Sequence, residues 1–591
     1  MSLPSGASRY RSGHGCGRGF GKTCLAFSIA ESRRSAYYYA SEAWQRFAHR
    51  LALGRISTIR FAGATPERLV VAPIDLRIAD PHIATEIYSG RFALGGTQLD
   101  TGGASPFQMP MPNESFARSL HGFGWLRHMR AADHDLAFSN ARSLVDDWIS
   151  THGRDLSGFA YRQDVLASRL IAWFSHSPVV LRGADHGFYR RFLKSIALQV
   201  RYLRHVAHVA PDGETRFRVR IALAMSSLCL PAGAGAVKTA ARLLDVEFER
   251  QILPDGGHIS RNPQVLVELL TDLLPLRQTY VNLGQKLPGR MIAGIDRMFS
   301  ALRFFRHANG EIALFNGAST LSADRLLAVL RYDESAGVPY REAPHSHFQR
   351  LASRGTVVIT DTGTPPPGAL SRGAHAGCLS FEFSSGANRF IVNAGAPVHA
   401  SPAYASYARL TAAHSTLVLD DQSSLSFSRS GFLGAIVVGG VRRVEVAGLD
   451  EAENWLGFAA THDGYLDAFG KYHCREIRLL ANGAEIHGRD RVMRPGDKPI
   501  ARSDASVAVV RFHVNPKIAV EHHESGAIYL TAQDGERWAF VCPDVPAEVE
   551  EDVHFADIAG PRASRQITLT FSPAERQEVS WSFSRIALPR G

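Results

Sequence analysis

From about Ala40 to Phe305 the apolar positions recur at helical spacing. Segments such as FARSLHGFGWLRHMRAA, DVLASRLIAWFSHS, HGFYRRFLKSIALQVRYLRHVAHV and AVKTAARLLDVEFERQIL put apolar residues at i, i+3/i+4 and i+7. Gly, Pro and Asp punctuate them in APDGE, LPAGAGA and LPDGG, which predicts short turns between helices. Repeated helices on short turns build a bundle, a solenoid or a toroid of helical hairpins, and periodicity alone does not choose among these.

After about Asp333 the pattern changes. TVVITDTG, CLSFEFSSGANRFIVNAG, HSTLVLDD, VAVVRFHVNP and QITLTFS are short β-branched or aromatic runs, several of them alternating with polar residues. NG, SG, DG and NP steps separate the runs, and together they predict an antiparallel β-sandwich. The expected organisation is a basic, poorly ordered N-terminal extension over 1–45, a helical domain over 46–334 and a sandwich over 345–591. A linker is expected around Ser335–Pro344.

Composition narrows the class. A chain of 591 residues has room for about two to four domains. Its 45% hydrophobic and 21% charged residues are those of an ordinary globular protein, and no apolar run approaches the ~20 residues of a membrane span. The six cysteines include no CxxC pair, which argues against a zinc ribbon or a disulfide scaffold and for reduced, buried thiols. The net charge of +10 suits a polyanion, although mildly basic proteins without such a partner are as common. Residues 1–60 carry ten Lys/Arg against two Asp/Glu, with an apolar stretch barely long enough for a signal peptide, so the residues themselves do not support export. GCGRGFGKT at 15–23 has Cys16 where a phosphate-binding loop needs its first glycine, and no recognised nucleic-acid module is present, so nucleic acid is not an expected partner.

Six segments point further: LPDGGHISRNP at 253–263, AHAGCLSFEFSSGANRFIVNAG at 374–395, YARLTAAHSTLVLDD at 407–421, HDGY at 462–465, His473-Cys474-Arg475, and FHVNP at 512–516. In order and spacing they resemble the heparinase II/III-like polysaccharide lyases, the superfamily of heparin, heparan and alginate lyases. The resemblance covers roughly residues 100–580. It implies an α+β multidomain fold, an (α/α) toroid followed by an antiparallel β-sandwich. It also implies cleavage of an acidic, uronate-containing polysaccharide by β-elimination, and a periplasmic or envelope location, with the cytoplasm left open by the N-terminus.

Such elimination needs a group to neutralise the uronate carboxylate, a base, and an acid for the leaving oxygen. The family supplies much of this from an Asn-His doublet on a toroid helix and a Tyr after the DGG turn. Here no Asn-His dipeptide occurs, and Gln264, Val265 and Leu266 follow the turn motif, with no Tyr before Tyr280. The turn leaves His258 as a base and Arg261 and Asn262 as substrate-binding groups; the alternative is a plain helix-to-helix turn with Arg261 in a surface ion pair. By resemblance, Tyr404, Tyr407 and Arg409 lie on a loop facing the cleft, as acid/base and carboxylate-binding groups, or as ordinary loop packing. His414 is a further candidate base. His375, Asn393 and His414 match a family metal site of His, Asp and His, which implies a structural Zn2+ with Asn393 in place of the carboxylate. The alternative is a pair of hydrogen-bonded histidines pinning two strands. His462, Asp463, Tyr465, His473 and Arg475 read as a strand-loop network. Two functions follow: a lyase acting on an acidic glycan, or a non-catalytic acidic-glycan-binding or envelope-associated protein on a degenerate lyase scaffold.

Overall fold

The computed structural model describes residues 36–44, 46–47, 61–334, 337–398, 402–449 and 454–586. Its first half is helical and arranged in two layers. Gln163–Ser175, Glu214–Cys229 and Pro263–Asn282 pack side by side and are buried nearly all round. Asp135–Thr151, His186–Val206 and Ala234–Gln251 bury one face only and lie outside them. That division, apolar all round within and amphipathic without, is what an (α/α) toroid requires. Short polar residues start the helices: Asn113, Asp185 and Asn262 each accept a backbone N–H of the first turn. Arg169 lies inside this core, donating to Gln199 Oε1 and to the carbonyls of His121 and Ala160, with its guanidinium 4.1 Å from the Trp148 ring.

A hairpin that helical periodicity hides interrupts the toroid. Arg91–Leu94 pairs with Thr97–Asp100 across Gly95-Gly96, both at positive φ, the geometry a two-residue hairpin turn demands.

Besides a separate two-stranded ribbon of Leu425–Phe427 and Val437–Gly440, the second half is built on two large antiparallel sheets. One runs Ala547–His554, Arg562–Phe571, Ala508–Val514, Asn388–Val392, Phe381–Ser385, Thr356–Asp361, Phe348–Ser353 and Glu342–Ala343, with Leu417–Leu419 also on Ala508–Val514. The other runs Val444–Gly448, Trp455–His462, Tyr472–Leu480, Glu485–Met493, Glu578–Ile586, Arg537–Val541, Ile528–Thr531 and Ala519–His522. Phe381, Phe383, Phe390, Phe512, Trp538, Phe540, Trp581 and Phe583 fill the space between them. Tyr472–Leu480 alternates buried and half-buried residues, as a strand with one covered face should. Thr356–Asp361 and Phe381–Ser385 are buried at every position because the toroid covers their other face. Gly488 lets the sheet close on Trp581: a Cβ there would sit 2.0 Å from the indole.

A polar seam joins the halves. Glu382 accepts from His307 Nε2 at 2.9 Å and from Arg389 at 2.7 Å, and Arg350 donates to the carbonyls of Phe304 and Arg306. Of the extension expected over 1–45, the described residues are 36–44. They form a helix against the sandwich, with Tyr38 buried on Leu433 and Ile436 and Glu42 paired with Arg372. The burial of Tyr38 gives this helix an anchor that a charge count does not reveal. Residues 1–35 lie outside the described residues.

Candidate functional site

The DGG turn at the toroid end is shaped by backbone need. Gly256 is at φ 84°, and a Cβ there would lie 1.8 Å from the Arg297 carbonyl oxygen. His258 follows, only 2% exposed. The backbone N–H of Ser260 donates to its Nδ1 at 3.1 Å, so the ring proton sits on Nε2 and goes to Gln251 Oε1 at 3.0 Å. Both nitrogens are thereby engaged within the turn. Burial lowers the imidazole pKa to about 3.

Arg261 is not in a surface ion pair. It crosses the seam to Asp361 and donates to the carbonyls of Ser346, His347 and Thr364, which occupies all three guanidinium nitrogens. Its guanidinium also lies 4.7 Å from the Phe348 ring. Asn262 spends its side-chain oxygen capping the next helix at Gln264 N. The turn therefore spends His258 and Asn262 on its own shape and Arg261 on docking one domain on the other.

On the sandwich side, Arg409 donates Nε to the Ala374 carbonyl and Nη2 to the Ser371 carbonyl, and stacks 4.1 Å from the Phe427 ring. Its charge pins the loop. Tyr404 and Tyr407 lie on the short helix Pro402–Tyr407 and are 46% and 58% exposed. They are the two candidate acid/base residues that face solvent. Tyr404 leans on Phe555.

The structure brings His375 and His414 together and fixes the Asn393 side chain on the residue after His414. His375 Nδ1 lies 3.3 Å from His414 Nε2, and Asn393 Oδ1 accepts the Ser415 N–H at 3.0 Å. Burial holds His414 down to about 4 and His375 well below its ordinary value, so both rings are neutral at pH 7. The donor set does not fit zinc. Asn393 has committed its oxygen to Ser415, and its Nδ2 is buried without a partner; an amide N–H2 is not a metal ligand. No group of three His, Cys, Asp or Glu among the described residues is arranged to hold a metal.

The second polar set is a core network centred on Asp490, a residue that pattern reading passed over. Asp490 accepts from His473 at 2.7 Å, from Arg475 through two nitrogens and from Trp581 Nε1 at 2.8 Å, while His473 Nδ1 lies 3.2 Å from His462 Nε2. Arg475 also ties down the carbonyls of Leu379 and Ser415. Asp361 and Glu382 were missed likewise, since an isolated acid within an apolar strand shows its role only when its cation arrives from elsewhere in the chain. Asp463 caps a loop by accepting the N–H groups of Arg442 and Arg443, and Tyr465 donates to the Leu417 carbonyl.

Two cavities flank these residues. One, of 540 Å³, lies where the toroid, the sandwich and helix 36–44 meet; Tyr38, Glu42, Asp212, Arg250, Leu370 and Arg372 line it. Helix 36–44 thus forms one wall of the interdomain cleft. The other, of 420 Å³, lies within the toroid among Arg77, Arg118, Arg127 and Arg218. Asp272 there pairs with Arg77 and Arg218, and Asp75 with Arg77 and His176, so much of that positive charge is already neutralised. No helix among the described residues is long and apolar enough to cross a membrane.

Comparison with known proteins agrees with this architecture. The family model described as heparinase II/III-like, C-terminal, matches residues 336–582. FtsZ-localized protein C of Caulobacter vibrioides (strain NA1000 / CB15N) is 30% identical over 538 residues, covering 89% of this chain and 92% of that protein. Among solved structures, heparinase III superposes with a TM-score of 0.66 at 12% identity, over 95% of this chain and 92% of that one. The heparan sulfate lyase HepC of Pedobacter heparinus gives 0.56 at 16% identity, over 95% and 89%. At these identities the structural matches speak for the fold: a helical toroid followed by antiparallel sheets.

Proposed function

The chain belongs to the heparinase II/III-like family, and from that premise we propose that it uses the lyase scaffold without the elimination chemistry, as a protein of the cell-division site that localises with FtsZ. One observation carries the loss of chemistry. The two arginines expected to bind a uronate carboxylate are engaged elsewhere: Arg261 holds Asp361 and three backbone carbonyls, and Arg409 gives Nε and Nη2 to the carbonyls of Ala374 and Ser371. Without that neutralisation the proton beside the carboxylate is not acidic enough to remove, whatever base is near. The histidine of the turn, His258, is closed off at both nitrogens.

The division-site assignment is supported by the length of the match to an FtsZ-localized protein, which spans both halves rather than the sandwich alone. On this reading the chain shares the cytoplasm with FtsZ, in place of the periplasm implied by the lyases. Cys229, Cys378, Cys474 and Cys542 are free thiols, which suits a reducing compartment. The cleft then serves recognition, and an acidic glycan remains a candidate ligand for a chain of net charge +10.

A second reading keeps the lyase, with Tyr407 or Tyr404 as acid/base, because their exposed rings stand free of the core. Two measurements separate the readings. A fluorescent fusion expressed with labelled FtsZ is expected to follow the FtsZ band, and a diffuse or envelope-wide signal overturns the division-site assignment. Incubation with heparin, heparan sulfate and alginate is expected to yield no ultraviolet-absorbing unsaturated product. Turnover that Tyr407→Phe abolishes, with folding intact, establishes the lyase instead.

A further inference from the structure

We infer that the sandwich holds a two-histidine half-site in which a hydrogen bond stands in for a metal, and that the amide of Asn393 is the one group that keeps the metal out. The tautomers follow from the contacts. His414 Nδ1 is 2.8 Å from the Leu410 carbonyl oxygen, and only an N–H approaches a carbonyl so closely. As a neutral ring, His414 therefore carries a lone pair on Nε2. That lone pair faces His375 Nδ1 at 3.3 Å, which must supply the proton between them.

The spacing has a second meaning. Two nitrogens bound to one tetrahedral zinc at about 2.0–2.1 Å lie roughly 3.3–3.4 Å apart. The rings cross at 87°, and their nitrogens hold the separation a metal would impose with a single proton in its place. Backbone contacts fix the frame: Ala394 N donates to the Ala413 carbonyl, Ala376 N to the Arg409 carbonyl, and Ser415 N to Asn393 Oδ1.

Asn393 is the third position. Turning its amide over would set N–H2 against the Ser415 N–H, so Oδ1 stays on Ser415 and Nδ2 stays a buried donor without an acceptor. A carboxylate in the same pose keeps the bond from Ser415 with one oxygen and replaces the stranded donor by a second, anionic oxygen. Asn393→Asp thereby supplies the third ligand and removes an unsatisfied donor, leaving a fourth position for water.

The test is metal content. The wild-type protein, purified without chelator and dialysed against buffer containing zinc, is expected to hold well under 0.1 equivalents by elemental analysis, with a melting temperature unchanged by zinc. Asn393→Asp is expected to hold about one equivalent and to melt several degrees higher with zinc than with chelator. Asn393→Asp combined with His414→Gln is expected to lose both. Stoichiometric zinc in the wild type overturns the inference without reference to any variant, so it is decided even if Asn393→Asp fails to fold. A folded Asn393→Asp protein that binds no zinc overturns it also. These outcomes are independent of where the protein localises and of whether it cuts glycans.

Discussion

Arg261 separates an anchoring role from a substrate-clamping one, and the two predict different measurements. Arg261→Ala removes the cation from Asp361, which is 2% exposed, and strips donors from the carbonyls of Ser346, His347 and Thr364. Asp361 keeps the Asn316 amide at 2.9 Å and the Gly363 N–H at 3.0 Å, which do not balance its charge. Removing one partner of a buried ion pair costs about 3–5 kcal/mol. Lost contact with the Phe348 face adds to that. The backbone adds a term that alanine keeps and only glycine relieves: position 261 sits at φ 59°, which costs an L-residue about 1 kcal/mol. Arg261→Gly should therefore be about 1 kcal/mol less damaging than Arg261→Ala, although both lose the same contacts.

The assay is equilibrium unfolding in urea, run as a double-mutant cycle with Asp361→Asn. Each single variant should lose several kcal/mol, and the pair should lose less than the sum by about 2–3 kcal/mol. Bound heparin or alginate should be unaffected once the comparison is made at equal folded fraction. If Arg261→Ala costs less than about 1 kcal/mol while glycan binding falls, Arg261 is a clamp and the anchoring account is wrong.

Three further outcomes follow. Stability should fall steeply below pH 6.5: His258 and His307 are held down to about 3 and about 4 by burial, so the folded chain binds fewer protons than the unfolded one between those values and 6.5. At pH 5.5, His258 alone contributes about 1.4 kcal/mol of this loss, and Glu382, held down to about 2 with Arg389 and His307 offsetting its desolvation, extends the fall below its ordinary 4.5; a melting temperature flat from pH 7 to 5 contradicts it. Gly488→Ala should cost about 1–3 kcal/mol, because the added methyl meets the Trp581 indole across paired strands, and a variant as stable as wild type refutes that packing. Tyr38→Asp should release helix 36–44, read as faster amide exchange at Leu433 and Ile436 with the far-ultraviolet spectrum nearly unchanged; unaltered exchange there means the helix is held by other contacts.

The change from helical to alternating periodicity is real in the structure: the last helix of the toroid ends at Leu330 and the strands of the sandwich begin at Glu342. Periodicity reports which face of an element is covered, so it marks elements well. It reports nothing about partners far along the chain. Arg261 and Asp361 are 100 residues apart, and His307 and Glu382 are 75 apart, so neither pairing is visible before the domains meet. The hairpin at Arg91–Asp100 was hidden for another reason: strands of four residues are shorter than the window in which alternation can be told from helix. The docking of helix 36–44 turns on the burial of Tyr38, one residue in an N-terminal stretch that reads as rich in glycine, serine and arginine.

On the proposed reading, the turn motif LPDGGHISRNP shows how a lyase-like segment can outlive lyase chemistry. Each of its recognisable residues has a task in folding. Gly256 clears the Arg297 carbonyl, His258 closes the turn onto Gln251, Arg261 fastens the sandwich, and Asn262 with Pro263 starts the next helix. The positions that differ from the lyases, Val265 and Leu266 after the turn, are buried apolar residues of that helix, where a tyrosine hydroxyl would need a partner. The sandwich repeats the pattern: Arg409 and the His375–His414 pair persist in bonds that hold loops, while the carboxylate that would bring in a metal is an amide. Retained motif residues here measure the demand of docking a toroid on a sandwich. The chemistry of elimination depends on groups left free to meet a substrate, and among the candidates the solvent-facing ones are Tyr404 and Tyr407, while Arg261 is bonded at all three nitrogens and Arg409 gives two of its three to backbone carbonyls.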